Sequence, residues 1–282
     1  MERWIEKSTC TPAGVPFSRI CVLLTGREHI ASLLDCVAGW AQPRARIRIT
    51  GLAGAPSGGD AAFQAAQGFT RRLVLAAVVD AACETLLQRG FVAETETLEA
   101  DSAADQTAAL ARTVCASQAQ LTIGAPPSPV ALAGSTQRPV LVLPTPFARR
   151  CQVPPQRIFV ASNGSAACSL AVSEAARVAA PGAAVRVGYL ACDPADARHP
   201  EDFDTVVLAA QRDGDAAAHA IVDAALQWRA DLLVLGTRGG HAGGRGRYGS
   251  VAADVARRTV LPLLLVPQAS RCADRAAASG MQ

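Results

Sequence analysis

Residues 231–267 read DLLVLGTRGGHAGGRGRYGSVAADVARRTVLPLLLVP. Leu232–Leu235 is an apolar run of the length a buried strand needs. It leads into a loop carrying seven glycines from Gly236 to Gly249. Gly249-Ser250 closes the loop, an amphipathic stretch follows, and Leu261–Val266 is a second apolar run. The order is strand, glycine loop, helix, strand.

The backbone of such a loop suggests a ligand. Without Cβ atoms, successive N–H groups can turn inward together, and nothing holds a ligand at a distance. Ser250 stands where the next helix begins, and a helix start offers unpaired amides and the positive end of a dipole. Arg238, Arg245 and Arg247 add positive charge. A phosphate chain suits this combination. Glycine runs also form plain flexible loops, but placement between two apolar strands favours the ligand.

Composition sets the outer bounds. A chain of 282 residues usually means two domains, and 50% apolar residues supply ample core. A net charge of +3 is too small to argue for nucleic acid. Lys7 is the only lysine, so no GxxxxGK[ST] phosphate loop exists. No apolar run is long enough to span a bilayer, and MERWIEKSTCTPAG is too polar for a signal peptide. The nine cysteines are scattered, odd in number and never spaced CxxC. Reduced thiols in a cytoplasmic protein are the expectation, with Cys21 and Cys36 as small core residues.

The chain alternates from end to end. Strands are expected at Arg19–Leu24, Arg44–Leu52, Phe91–Leu98, Gln120–Ile123 and Val140–Leu143. Helices are expected at His29–Trp40, from about Asp60 to Arg89, and from a cap at Asp101 or Ser102 to about Ser117. No helix is expected between the last two strands, where APPSPVALAGSTQRP is rich in proline. Phe147–Gln156 reads as a linker. The pattern then restarts, with strands at Arg157–Ala161, Ala184–Ala191 and Thr205–Ala210, a helix at Ser165–Ala180, and a helix capped by Asp215. Residues 193–203 read as a polar loop in place of a helix. Alternation of this kind means a parallel sheet covered by helices.

The spacing Gly236-x2-Gly239-x9-Gly249-Ser250 resembles the G-x2-G-x9-G-[S/T] pattern of the ATP-binding branch of the universal stress protein superfamily. Val251, Val255, Pro262 and Leu263–Val266 continue the likeness. The second half carries it clearly; the first half shares only the order of elements. The resemblance implies an α/β fold of two tandem Rossmann-like (adenine nucleotide alpha hydrolase-like) domains, residues 18–146 and 157–268. Each would be an open parallel five-stranded sheet of order 3-2-1-4-5.

In such a sheet, ligands bind at the carboxyl ends of the strands where the winding reverses. Here those ends are Ser162-Asn163-Gly164-Ser165 and the loop at Gly236. The resemblance assigns Leu190 to the adenine, Gly236 and Gly239 to ribose and phosphates, and Gly249, Ser250 and Val251 to the terminal phosphates. Asn163 stands where the family typically has aspartate; it keeps an acceptor oxygen, gains donors and loses the charge. Asn163-Gly164 would also serve as a plain turn pair. Arg238 and Gly240 join the expected set from their place in the loop. His241 reads as a solvated loop residue, His219 as ordinary surface, and Arg257-Arg258 as a complement to a helix end.

The first half lacks the G-x2-G spacing, and its first strand ends Leu24-Thr25-Gly26-Arg27, so it is expected to bind no nucleotide. The leading expectation is an ATP-binding stress-response sensor or regulator, with Mg2+ as a companion of the triphosphate. At most it would be a slow ATPase, since no general base is evident. The alternatives are a scaffold for a partner protein and, further down, RNA binding through GGRGRYG. The two fifth strands, Val140–Leu143 and Leu263–Val266, are expected to pair within one chain as a pseudo-dimer, with room for a further homodimer.

Overall fold

The computed structural model describes residues 17–26, 28–54, 61–100, 102–144, 151–163, 165–190, 204–208, 214–237 and 248–268. The first half runs β1 (Phe17–Leu24), α1 (Ile30–Trp40), β2 (Ala41–Gly54), α2 (Ala61–Gln88), β3 (Val92–Ala100), α3 (Ala103–Ala116), β4 (Leu121–Gly124), α4 (Pro129–Thr136) and β5 (Val140–Val142). The second runs β6 (Arg157–Ser162), α5 (Ala166–Val178), β7 (Ala184–Leu190), β8 (Asp204–Leu208), α6 (Gly214–Gln227), β9 (Leu232–Thr237), α7 (Tyr248–Arg258) and β10 (Leu263–Pro267).

All ten strands form one sheet, in the order β3-β2-β1-β4-β5-β10-β9-β6-β7-β8. Read inward from its outer edge, each half has the expected order 3-2-1-4-5. The halves are not separate open sheets. β10 runs antiparallel to β5, pairing Leu263 with Val142, Leu264 with Leu141 and Leu265 with Val140. Every other neighbour is parallel. The carboxyl ends of the two halves therefore point to opposite edges of the sheet.

Alternation along the strands builds two cores. Val22, Ile123, Leu141, Leu264, Val234 and Val160 lie in the core that also holds α1, α2 and α5 residues. Leu23, Val140, Val142, Leu265, Leu235 and Ala161 lie in the other, with α3, α4, α6 and α7. Helix faces follow the same logic. α2 buries Leu75, Val79, Ala82 and Leu86, one stripe of a helix. α3 is capped as expected, the Ser102 hydroxyl accepting from the Asp105 N–H at 3.1 Å. Arg177 of α5 lies 4.6 Å over the Phe17 ring of β1, a second link between the halves.

Three expectations are corrected. α4 is a helix despite its prolines, because Pro129 occupies the first turn, where a missing N–H costs nothing. Asp215 is the second residue of α6 and not its cap. The thiols are not all reduced: Cys36 of α1 is bonded to Cys151, with 5.1 Å between Cα atoms. Folding lays residues 151–156 against α1, where a Cβ on Gly39 would meet the Val153 side chain. That proximity cannot be seen across 115 residues of sequence. Cys21, Cys83, Cys115 and Cys168 are free thiols. Cys10, Cys192 and Cys272 lie outside the described residues, as do residues 193–203. Among the described residues, no helix is long and apolar enough to cross a membrane.

Candidate functional site

Parallel register brings the predicted segments together. Ala161 of β6 pairs with Leu235 of β9, and Ser162 pairs with Tyr189 of β7. Ser162, Leu190 and Thr237, the residue after Gly236, therefore end their strands on one edge of the sheet. β6 and β9 lie side by side although β7 and β8 intervene in sequence. This is the point where the winding reverses and where open α/β sheets leave a crevice.

Each flank is set by local sequence. Ala167, Ala171 and Ala175 of α5 are all buried. Their small side chains bring the helix close onto the sheet. A Cβ on Gly236 would stand 2.2 Å from the Ala167 carbonyl oxygen and 3.0 Å from the Cys168 nitrogen. Close helix–strand packing alone thus requires glycine at Gly236, a reason that sequence reasoning did not supply.

Asn163 closes the end of β6. Its Oδ1 accepts from the Ser165 N–H at 3.2 Å and from the Cys168 thiol at 3.2 Å. Its own N–H donates to Cys168 Sγ at 3.4 Å. The Ser165 hydroxyl donates to the same sulfur at 3.5 Å. The Asn163 oxygen is thereby engaged by the start of α5. Ser165 is the N-cap residue of α5 without a side-chain cap bond. A buried thiol such as Cys168, organising this turn, leaves no pattern in the sequence.

On the other flank, Gly249 and Ser250 fall in the first turn of α7. No acidic residue stands in that turn, while Arg257 and Arg258 occupy the last. The positive end of the helix is left without an internal counter-charge, and the negative end has one. Val251 is half-buried and packs against the second core, so any ligand contact there is through its backbone. Gly164, Arg238, Gly239, Gly240, His241, Arg245 and Arg247 lie outside the described residues. His219 sits beside Arg258, 3.2 Å from Nε2 to a guanidinium nitrogen.

Residues 200–267 match the model of the universal stress protein family. Over that segment the chain is similar to the family. No curated protein matches it. Its fold is that of solved universal stress proteins. The one from Archaeoglobus fulgidus DSM 4304 has a TM-score of 0.62 at 13% identity, over 89% of this chain and 97% of that chain. A functionally unknown protein from Pseudomonas aeruginosa PAO1 gives 0.57 at 16%, over 94% and 98%. One assigned provisionally to the universal stress proteins, from P. aeruginosa UCBPP-PA14, gives 0.55 at 16%, over 89% and 93%.

The corresponding corner of the first half is built differently. β1 ends at Leu24, and Thr25 follows it as Asn163 follows β6. The Glu28 carboxylate accepts from the Thr25 N–H at 2.8 Å and from its hydroxyl at 2.5 Å. An internal anion thus takes the strand-end donors. Gly124 ends β4 at φ +147°, and α4 begins shortly after it, at Pro129.

Proposed function

We propose that the protein binds one ATP, with Mg2+ accompanying the triphosphate, at the carboxyl edge of β6, β7 and β9. It would act there as a stress-response sensor or regulator and not as a fast enzyme. The observation that carries this reading is the junction itself. The ends of β6 and β9 meet where the winding reverses, beside a helix whose first turn holds Gly249-Ser250 and no acid. Ser162 and Leu190 border the adenine and ribose side. Arg238, Gly239 and Gly240 belong to this proposal by their position in the motif. The first half takes no nucleotide in this reading, because Glu28 already satisfies the Thr25 donors.

The direct test is titration with ATP–Mg2+ of the wild-type protein and of Gly249→Asp, with folding checked by circular dichroism. A carboxylate in the first turn of α7 opposes an anion, so binding should weaken at least tenfold. Equal affinity in a folded variant defeats the assignment.

One observation favours a second reading, a scaffold for a partner protein. The Asn163 oxygen already accepts two hydrogen bonds from the start of α5, a use that needs no ligand. A wild-type protein that shows no nucleotide binding would move the assignment to that reading.

A further inference from the structure

Thr237 is the last residue of β9 and is 3% exposed. Its hydroxyl oxygen is buried and has no hydrogen-bond partner among the described residues. Its backbone is used: the carbonyl accepts from the Gln268 N–H at 2.8 Å. In the register its neighbour on β10 is Pro267, which offers the hydroxyl nothing. A buried hydroxyl without a partner is destabilising.

Strand alternation fixes which side of the sheet Thr237 is on. Leu233 and Leu235 lie in the core shared with Ala252 and Val255 of α7. Two residues further, Thr237 falls on the same face. Gly236 falls on the other, against α5. The orphan hydroxyl is thus at the strand tip on the α7 side, and α7 is the helix whose first turn carries Gly249 and Ser250 and no acid. The first half offers a contrast. Ala125 follows Gly124 where Thr237 follows Gly236, so the equivalent tip has no hydroxyl.

We propose that the Thr237 hydroxyl is a ligand-binding group that donates a hydrogen bond to a phosphate oxygen of the nucleotide at the start of α7. This rests on the nucleotide site proposed above and adds a residue that the glycine motif does not include. It makes two opposed demands on one substitution. Thr237→Val keeps the shape and removes the hydroxyl. The free protein then loses a buried polar atom that had no partner, so its melting temperature stays level or rises. The bound state loses a charge-assisted bond, so ATP affinity falls by about tenfold or more. A hydroxyl that only held the structure together would give the reverse.

The experiment measures ATP–Mg2+ binding by calorimetry and melting of the nucleotide-free protein, for wild type, Thr237→Val and Thr237→Ser. Expected are weak binding with undiminished stability for the valine variant, and near wild-type binding for serine. Wild-type affinity in Thr237→Val, a lower melting temperature of its free form, or weak binding by Thr237→Ser each overturns the inference. Failure of the nucleotide site itself reads differently: the wild-type protein then binds no ATP, and both proposals fall together.

Discussion

A Cβ on Gly236, at the tip of β9, would stand 2.2 Å from the carbonyl oxygen of Ala167, in the first turn of α5. The obstacle is backbone, so no side chain can rotate away. Gly236→Ala must push α5 off the sheet, and α5 is held there by Ala167, Ala171 and Ala175. The expected cost is about 1–3 kcal/mol of stability, read as a lower urea midpoint in the absence of any ligand. Unchanged stability would show that the first glycine serves ligand access alone.

Leu141 and Leu264 face each other across the one antiparallel pair among the described strands, and both are fully buried. Replacing either by alanine should cost about 2–5 kcal/mol. Because the two share one contact across the junction, a double-mutant cycle should give a coupling of about 0.5–3 kcal/mol. Strict additivity would mean that the halves do not lean on each other there.

Cys36 and Cys151 tie α1 to the segment that enters β6. Cys151→Ser, at a half-buried position, should lower stability by about 2–5 kcal/mol in oxidising buffer. Added dithiothreitol should erase the difference between the variant and wild type. A non-reducing peptide map that finds both thiols free would remove the link.

Burial pushes the Cys21 thiol from 9.0 up to about 11, against the smaller opposing pull of Thr50. The folded chain therefore holds this proton more tightly than the unfolded one. The resulting stability is complete below about pH 9 and is lost as pH rises towards 11. The loss can reach about 3 kcal/mol. Cys21→Ser cannot titrate in this window and should show a flatter stability profile from pH 8 to 11. Parallel profiles for the two proteins would contradict the shift.

Most of the fold was legible because its signals are periodic. Apolar runs such as Leu232–Leu235 and the stripe Leu75, Val79, Ala82 and Leu86 announce strands and a helix without reference to distant residues. α4 was not legible, since APPSP contains the residues that break helices and only the placement of Pro129 at a first turn spares this one. The disulfide was not legible because it depends on where residues 151–156 come to lie. At the candidate site, the meeting of β6 and β9 follows from strand order, but the local chemistry does not. Neither the Cys168 contacts with Asn163 nor the Ala167 backbone against Gly236 has a one-dimensional signature. Thr237 reads in sequence as one more strand residue, and only its burial without a partner sets it apart.

The central claim is that one corner of a two-cornered sheet holds nucleotide. Counting bound ATP by equilibrium dialysis at saturating ATP–Mg2+ tests it most directly. The account predicts one ATP per chain, unchanged in number by Glu28→Gln and abolished at the same concentration by Gly249→Asp. Two ATP per chain, or none, would contradict it.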